Sequence, residues 1–167
     1  KIQFEGDTNT LNDSLITFDS LDSKIDFNGR IKITKTNHIF LEDFSISNNS
    51  NVKLNLSGDL SERILNLNIS GDIIDLSANK VETKKKERVY YLKRENYSIN
   101  TDEVIFAGAV RVNDFKAGIE KQGSVLSVNS RASFMGHDLN YSREKNDDID
   151  LNIINSSDIT YFVNNNH

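Results

Sequence analysis

The chain has 167 residues, a formal net charge of −5, and neither cysteine nor proline. That length suits a single domain. The acidic balance argues against a nucleic-acid binder, which carries a basic surface. The missing cysteines exclude disulfides and thiolate metal sites. Hydrophobic residues make up 37%, against about 45–50% in typical globular chains, a range that also counts glycine. They are mostly Ile, Leu, Val and Phe, spaced out by Asn, Ser, Asp and Lys. Such a chain can cover one side of a sheet but would struggle to fill a thick two-sheet sandwich.

In chain order, Ile2 and Phe4 alternate before a Gly6-Asp7 turn. From Leu11 to Ile25 the pattern is mixed: Leu11, Leu15 and Phe18 fit a helical face, whereas Leu21, Ile25 and Phe27 fit strand parity. Asp, Ser and Thr crowd this stretch and favour local bonding over helix. Asn28-Gly29 reads as a hairpin turn, followed by Ile31 and Ile33 and a break at Asn37-His38. Ile39, Leu41, Phe44 and Ile46 form the next strand, with a parity slip between Leu41 and Phe44 that predicts a bulge. After a polar turn at 48–51, Val52, Leu54 and Leu56 alternate; Leu65, Leu67 and Ile69 return, with Gly58-Asp59 and Ser61-Glu62-Arg63 between the two runs. Residues 77–95 differ. Ala78, Val81, Lys85, Val89 and Leu92 fall near one helical stripe, and Lys and Arg crowd the far end, so a helix and a charged excursion both fit.

Strand pattern resumes at Tyr97 and Ile99 and is clearest from Ile105 to Tyr141. There Phe115, Ala117 and Ile119, then Leu126, Val128, Ala132 and Phe134, then Leu139 and Tyr141 occupy alternate positions. Alternation at every second residue is the pattern of a half-buried strand. Asn113-Asp114, Lys121-Gln122-Gly123 and Gly136-His137-Asp138 supply the breaks. In the tail, Ile149, Leu151 and Ile153 alternate, as do Ile159, Tyr161 and Val163. The whole of 1–167 is expected to be one all-β, mainly antiparallel segment. It would be a curved, taco-like meander with one apolar and one wet face. At most one or two short helices are expected, in 11–25 and 78–95.

No constellation for chemistry emerges, so neither an enzyme nor a cofactor is expected. His38, His137 and His167 have no convergent second ligand or base in the sequence. Asp147, Asp148 and Asp150 lack the ligand spacing and glycine of a calcium loop. Glu103, Asp114 and Glu120 alternate with apolar residues and belong to the wet face, where charge also discourages edge-to-edge pairing. Lys84-Lys85-Lys86 with Lys93-Arg94 is the one basic cluster. It reads as a solvated linker, or as a group attracted to anionic lipid head groups.

Three stretches resemble the AsmA-like family of bridge-like lipid-transfer proteins. One is LNLSGDLSERILNLNISGDIIDLSANKV at 54–81, the second is the glycine-turned meander at 104–141, and the third is DLNIINSSDITYFVNNNH at 150–167. The resemblance implies a segment of a longer Gram-negative envelope protein, excised from its neighbours. Such a protein is held at the inner membrane by an anchor lying outside this chain. Its periplasmic β-groove carries phospholipid between the inner and outer membranes, a role in outer-membrane biogenesis. The expected partners are phospholipid acyl chains, adjoining β-segments and, through open sheet edges, further copies. The expected groove residues are Leu54, Leu56, Leu65, Leu67, Ile69, Val110, Val112, Phe115, Ala117, Ile119, Leu126, Val128, Phe134, Leu151 and Ile153. The alternatives are a β-jellyroll of the lipopolysaccharide-transport type and a structural or adhesin β-domain with no lipid ligand.

Overall fold

A computed structural model describes residues 2–5, 14–21, 25–48, 53–77 and 92–157. They form one 11-stranded sheet in which spatial order follows chain order. The strands are β1 (Ile2–Glu5), β2 (Ser14–Leu21), β3 (Ile25–Ile33), β4 (Ile39–Asn48), β5 (Lys53–Ser61), β6 (Ile64–Asp75), β7 (Arg94–Ile105), β8 (Arg111–Gln122), β9 (Val125–Phe134), β10 (His137–Lys145) and β11 (Asp150–Ser156). β1 and β11 each pair with one neighbour, so the sheet is open and not a barrel. The only helical turn among the described residues is a three-residue 3-10 turn at Ala107–Ala109. The expectation of an all-β, mainly antiparallel chain therefore holds. Within 11–25, where the sequence pattern fitted both a helix face and strand parity, Ser14–Leu21 is strand, while 78–91 and the alternating run at 159–163 lie outside the described residues.

One junction breaks the meander. β6 and β7 run parallel, Ile64 facing Arg94 and Ile74 facing Val104. A parallel pair needs a crossover rather than a tight turn, and residues 76–93 make that connection. A chain of polar contacts spans the junction on one side of the sheet. His38 Nε2 lies 3.0 Å from Asp59 Oδ2, Asn66 Nδ2 donates to both Asp59 oxygens at 3.3 and 3.4 Å, and Asn96 Nδ2 donates to Asn66 Oδ1 at 2.7 Å. Arg94 continues the chain, reaching Asn96 Oδ1 at 3.2 Å and Glu120 at 2.7 Å.

Several turn signals in the sequence are not turns. Asn28-Gly29 lies inside β3, at a register irregularity between Asn28 and Arg30. Its glycine serves close packing, because a Cβ on Gly29 would lie 2.1 Å from the Phe44 ring. Gly58-Asp59 likewise lies inside β5, and the chain reverses at Glu62 and Arg63. Both reversal residues take positive φ, 50° and 68°, as a two-residue type I′ hairpin requires. Asn113-Asp114 lies within β8, where Asp114 (φ 53°) marks a bulge against β9. The bulge expected between Leu41 and Phe44 is present, with Asp43 at φ 50°.

Gly58 generates a direct prediction. A Cβ there would sit 2.1 Å from the Asn66 carbonyl oxygen of β6, a backbone atom that cannot rotate away. Gly58→Ala should destabilise the sheet by about 1–3 kcal/mol, the cost of overpacking a close contact. A urea titration showing an unchanged midpoint would contradict that close approach.

Candidate functional site: an open apolar sheet face

Residues directly opposed across a ladder share a face, so the register sorts side chains into two sets. One row runs Ile31, Leu41, Gly58, Leu67, Tyr97, Ile119, Val128 and Arg143. The next runs Phe44, Leu56, Ile69, Ile99, Ala117, Ser130, Tyr141 and Ile154. A third runs Ile46, Leu54, Gly71, Thr101 and Phe115. These rows make one apolar face continuous from β3 to β10. At about 4.8 Å per strand the face spans roughly 34 Å across the strands.

The bulges keep this face apolar. At Asp43 the extra residue lets both Leu41 and Phe44 follow the β5 row of Gly58 and Leu56. At Asp114 it shifts β8 by one residue relative to β9, so that Asn113 pairs with Ser133 of the polar side. Val112, the next residue, thereby joins the apolar face, and its cross-strand partner Val104 goes with it, as does Ile74 beside Val104. Val104 (1% exposed), Val112, Thr101 and Ala117 are the most buried side chains on this face. The remaining apolar residues of the three rows are half-buried, except Ile154 of β11, which is exposed. Among the described strands each contacts chiefly its sequence neighbours, and no second layer lies over the face.

Of the residues expected to line a groove, Leu54, Leu56, Leu65, Leu67, Ile69, Val112, Phe115, Ala117, Ile119, Leu126, Val128 and Phe134 come together on this face. The other three do not. Leu151 and Ile153 pair with Glu144 and Ser142 and so lie on the polar face, 49% and 43% exposed. Val110 lies outside the strands, where its carbonyl accepts the Phe106 N–H at 2.8 Å. Strand parity did mark Ile39, Leu41, Phe44, Ile46, Ile99, Leu139 and Tyr141 as alternating. Only the register shows that they join the same face as the rest.

Charge borders the face along one end of β7–β11. Glu95 accepts from Lys121 at 2.5 Å and from the Tyr97 hydroxyl at 2.6 Å. Arg143 grips Asp150 with two hydrogen bonds, 2.9 and 2.7 Å, and Lys145 lies 3.7 Å from the same carboxylate. The Arg143 bonds hold the Asp150 carboxyl below its usual range. Burial, reinforced by the bond to Glu95, pushes the Tyr97 phenol up to about 12. One polar atom on the face is an exception: Thr101 Oγ1 is buried and has no hydrogen-bond partner. Among the described residues no group of three metal-binding side chains converges, and no helix is long and apolar enough to cross a membrane. Comparison with protein-family models, with curated proteins and with solved structures finds no match.

Two predictions follow from this geometry. Thr101→Val keeps the shape and removes the unpaired hydroxyl, so it should raise stability by about 1 kcal/mol; a lower urea midpoint would count against it. Tyr97 should ionise late. Its folded pKa of about 12 exceeds the ordinary 10.0, so its contribution to stability is full below pH 10 and is lost as pH rises from there toward 12. Absorbance titration near 295 nm should show a late-ionising phenol that Tyr97→Phe abolishes.

Proposed function

We propose that the apolar face binds lipid acyl chains, and that the chain is a non-enzymatic segment of a longer lipid-transfer protein of the AsmA-like kind. In that role it belongs to the periplasm of a Gram-negative envelope and carries phospholipid between the inner and outer membranes. The observation that carries the reading is the continuous apolar face of β3–β10, half-exposed and without a second layer among the described residues. An exposed apolar surface of this extent marks an interaction site. Its length of roughly 34 Å across the strands is about twice the ~15 Å depth of one leaflet of a bilayer's hydrocarbon core. A hydrocarbon chain lying across the strands needs no polar partner there, and the charged border at Glu95, Lys121, Arg143 and Asp150 gives the face a wet margin.

β11 supports the idea of a segment that continues. Among the described residues it has one paired edge, with Leu151 and Ile153 on one face and Ile154 on the other, all three largely exposed. Strands apolar on both faces are those of sheet interiors. A neighbouring β-segment or a second copy of the chain would pair with that edge.

The expected outcome is tested with a photo-crosslinking side chain at Leu67, Ile119 or Val128, and in parallel at Asn66 or Asn129 on the opposite face. Lipid adducts, read by mass spectrometry from cells, should form at the first three positions and not at the last two. Leu67→Asp should leave the β-sheet circular dichroism intact while reducing adducts at Ile119 at least tenfold. Equal labelling of both faces, or unfolding by Leu67→Asp as in a closed core, overturns the reading.

A further inference from the structure

The polar face holds a feature that the lipid reading does not use. A shallow depression of about 590 Å³ lies over β7–β10. Its floor is Gly118, where a Cβ would meet nothing within 4 Å. Around it stand Asn100, Asn129 and Asn140, whose amides project from three different strands. On one side stand Lys116 and Arg131.

Lys116 and Arg131 are direct cross-strand partners. Like charges in that position repel. Neither makes an ion pair among the described residues, although other cations of the sheet do: Arg30, Arg94, Arg111, Lys121 and Arg143 each hold a carboxylate. A second depression on the same face, about 490 Å³, adjoins the first across these two cations and contains Asp114 and Asp138. The carboxylates make that side unfavourable for an anion. The Gly118 side has none, and offers amides that both donate and accept.

We propose that the polar face recognises a sugar bearing an anionic group, a phosphate or a carboxylate, seated over Gly118. Lys116 and Arg131 hold the charge, Arg131 through its planar fork of donors. Asn100, Asn129 and Asn140 hydrogen-bond the ring hydroxyls. The repulsion between the two cations is relieved when the anion lies between them, so binding draws on a strain already present in the free protein. A phosphorylated sugar, a uronic acid and a sugar-phosphate headgroup of a lipid share this chemistry.

The test is an amide NMR titration of the folded chain with glucose 6-phosphate and with glucuronic acid. Glucose and inorganic phosphate serve as controls, and vesicles of phosphatidylinositol phosphate as the lipid-borne arm. Saturable shifts centred on Gly118 and on the side-chain amides of Asn100, Asn129 and Asn140 are expected for both anionic sugars. The binding to glucose and to phosphate should each be at least tenfold weaker. Vesicle binding that glucose 6-phosphate displaces would assign the headgroup as a source, and no vesicle binding would assign a free saccharide. Lys116→Gln with Arg131→Gln should weaken sugar-phosphate binding at least tenfold. Gly118→Val, which fills the floor without a clash, should do the same with the strand spectrum unchanged. Phosphate binding as well as glucose 6-phosphate, or binding indifferent to Gly118→Val, overturns the proposal. Because this site and the apolar face lie on opposite sides of the sheet, crosslinking at Leu67 is unaffected by these substitutions, and either reading can fail alone.

Discussion

Pairing register is the constraint on which the rest of this structure depends. In a sheet without a second layer among the described residues, cohesion comes from the hydrogen-bond ladders and from contacts between neighbours on one face. Both require every strand to present the correct parity. A slip of one residue would turn a strand's apolar set to water. Among the places where the chain's own apolar spacing changes parity are Leu41 to Phe44 and Val112 to Phe115. In each an aspartate with positive φ, Asp43 or Asp114, absorbs the extra residue. The bulges are what keep a single apolar face continuous over strands whose sequences are not strictly two-fold. A bulge also bends its strand and increases local twist.

The two faces are held by different means. On the apolar side, small residues give the backbone or a ring room to approach: Gly29 accepts the Phe44 ring and Gly58 lies against the Asn66 carbonyl. On the polar side, amides and carboxylates link strand to strand. The chain His38, Asp59, Asn66, Asn96, Arg94 and Glu120 is the longest such link, and it crosses the parallel junction between β6 and β7. Parallel pairing is slightly weaker per residue than antiparallel, so side-chain bonds at that position reinforce the ladder where the meander is interrupted. The abundance of Asn in this chain has a structural use here, because the amide can donate to one neighbouring strand and accept from another.

A face that is apolar, half-exposed and bordered by ion pairs differs from a folded core in what it can do. Core residues exchange water for one another; these exchange it only in part. The remaining free energy is available to a ligand, which we propose is hydrocarbon, the chemistry that matches the face. The polar face, by contrast, sets Lys116 and Arg131 opposite each other with no ion pair to either among the described residues.

Alternation in the sequence by itself determined that the chain is β-sheet with one apolar and one polar side. A two-residue period has no other stable realisation, and the apolar content falls short of a thick core. It also located the Leu41–Phe44 bulge, because a parity slip within an apolar run needs an extra residue. Which strands' apolar sets share a face was beyond its reach, since a strand's own parity does not say which side its neighbour presents. Leu151 and Ile153 alternate as well as Leu126 and Val128 do, yet pairing with Glu144 and Ser142 turns them to the polar side. Asn28-Gly29 and Asn113-Asp114 carry turn chemistry but sit within strands, where the Phe44 ring and the shift against β9 use the same conformational freedom for another end. The parallel junction, the cations opposed across β8 and β9 and the recess over Gly118 exist only through pairing between segments. Tertiary structure alone decided them, because register is a relation between strands and no strand carries it by itself.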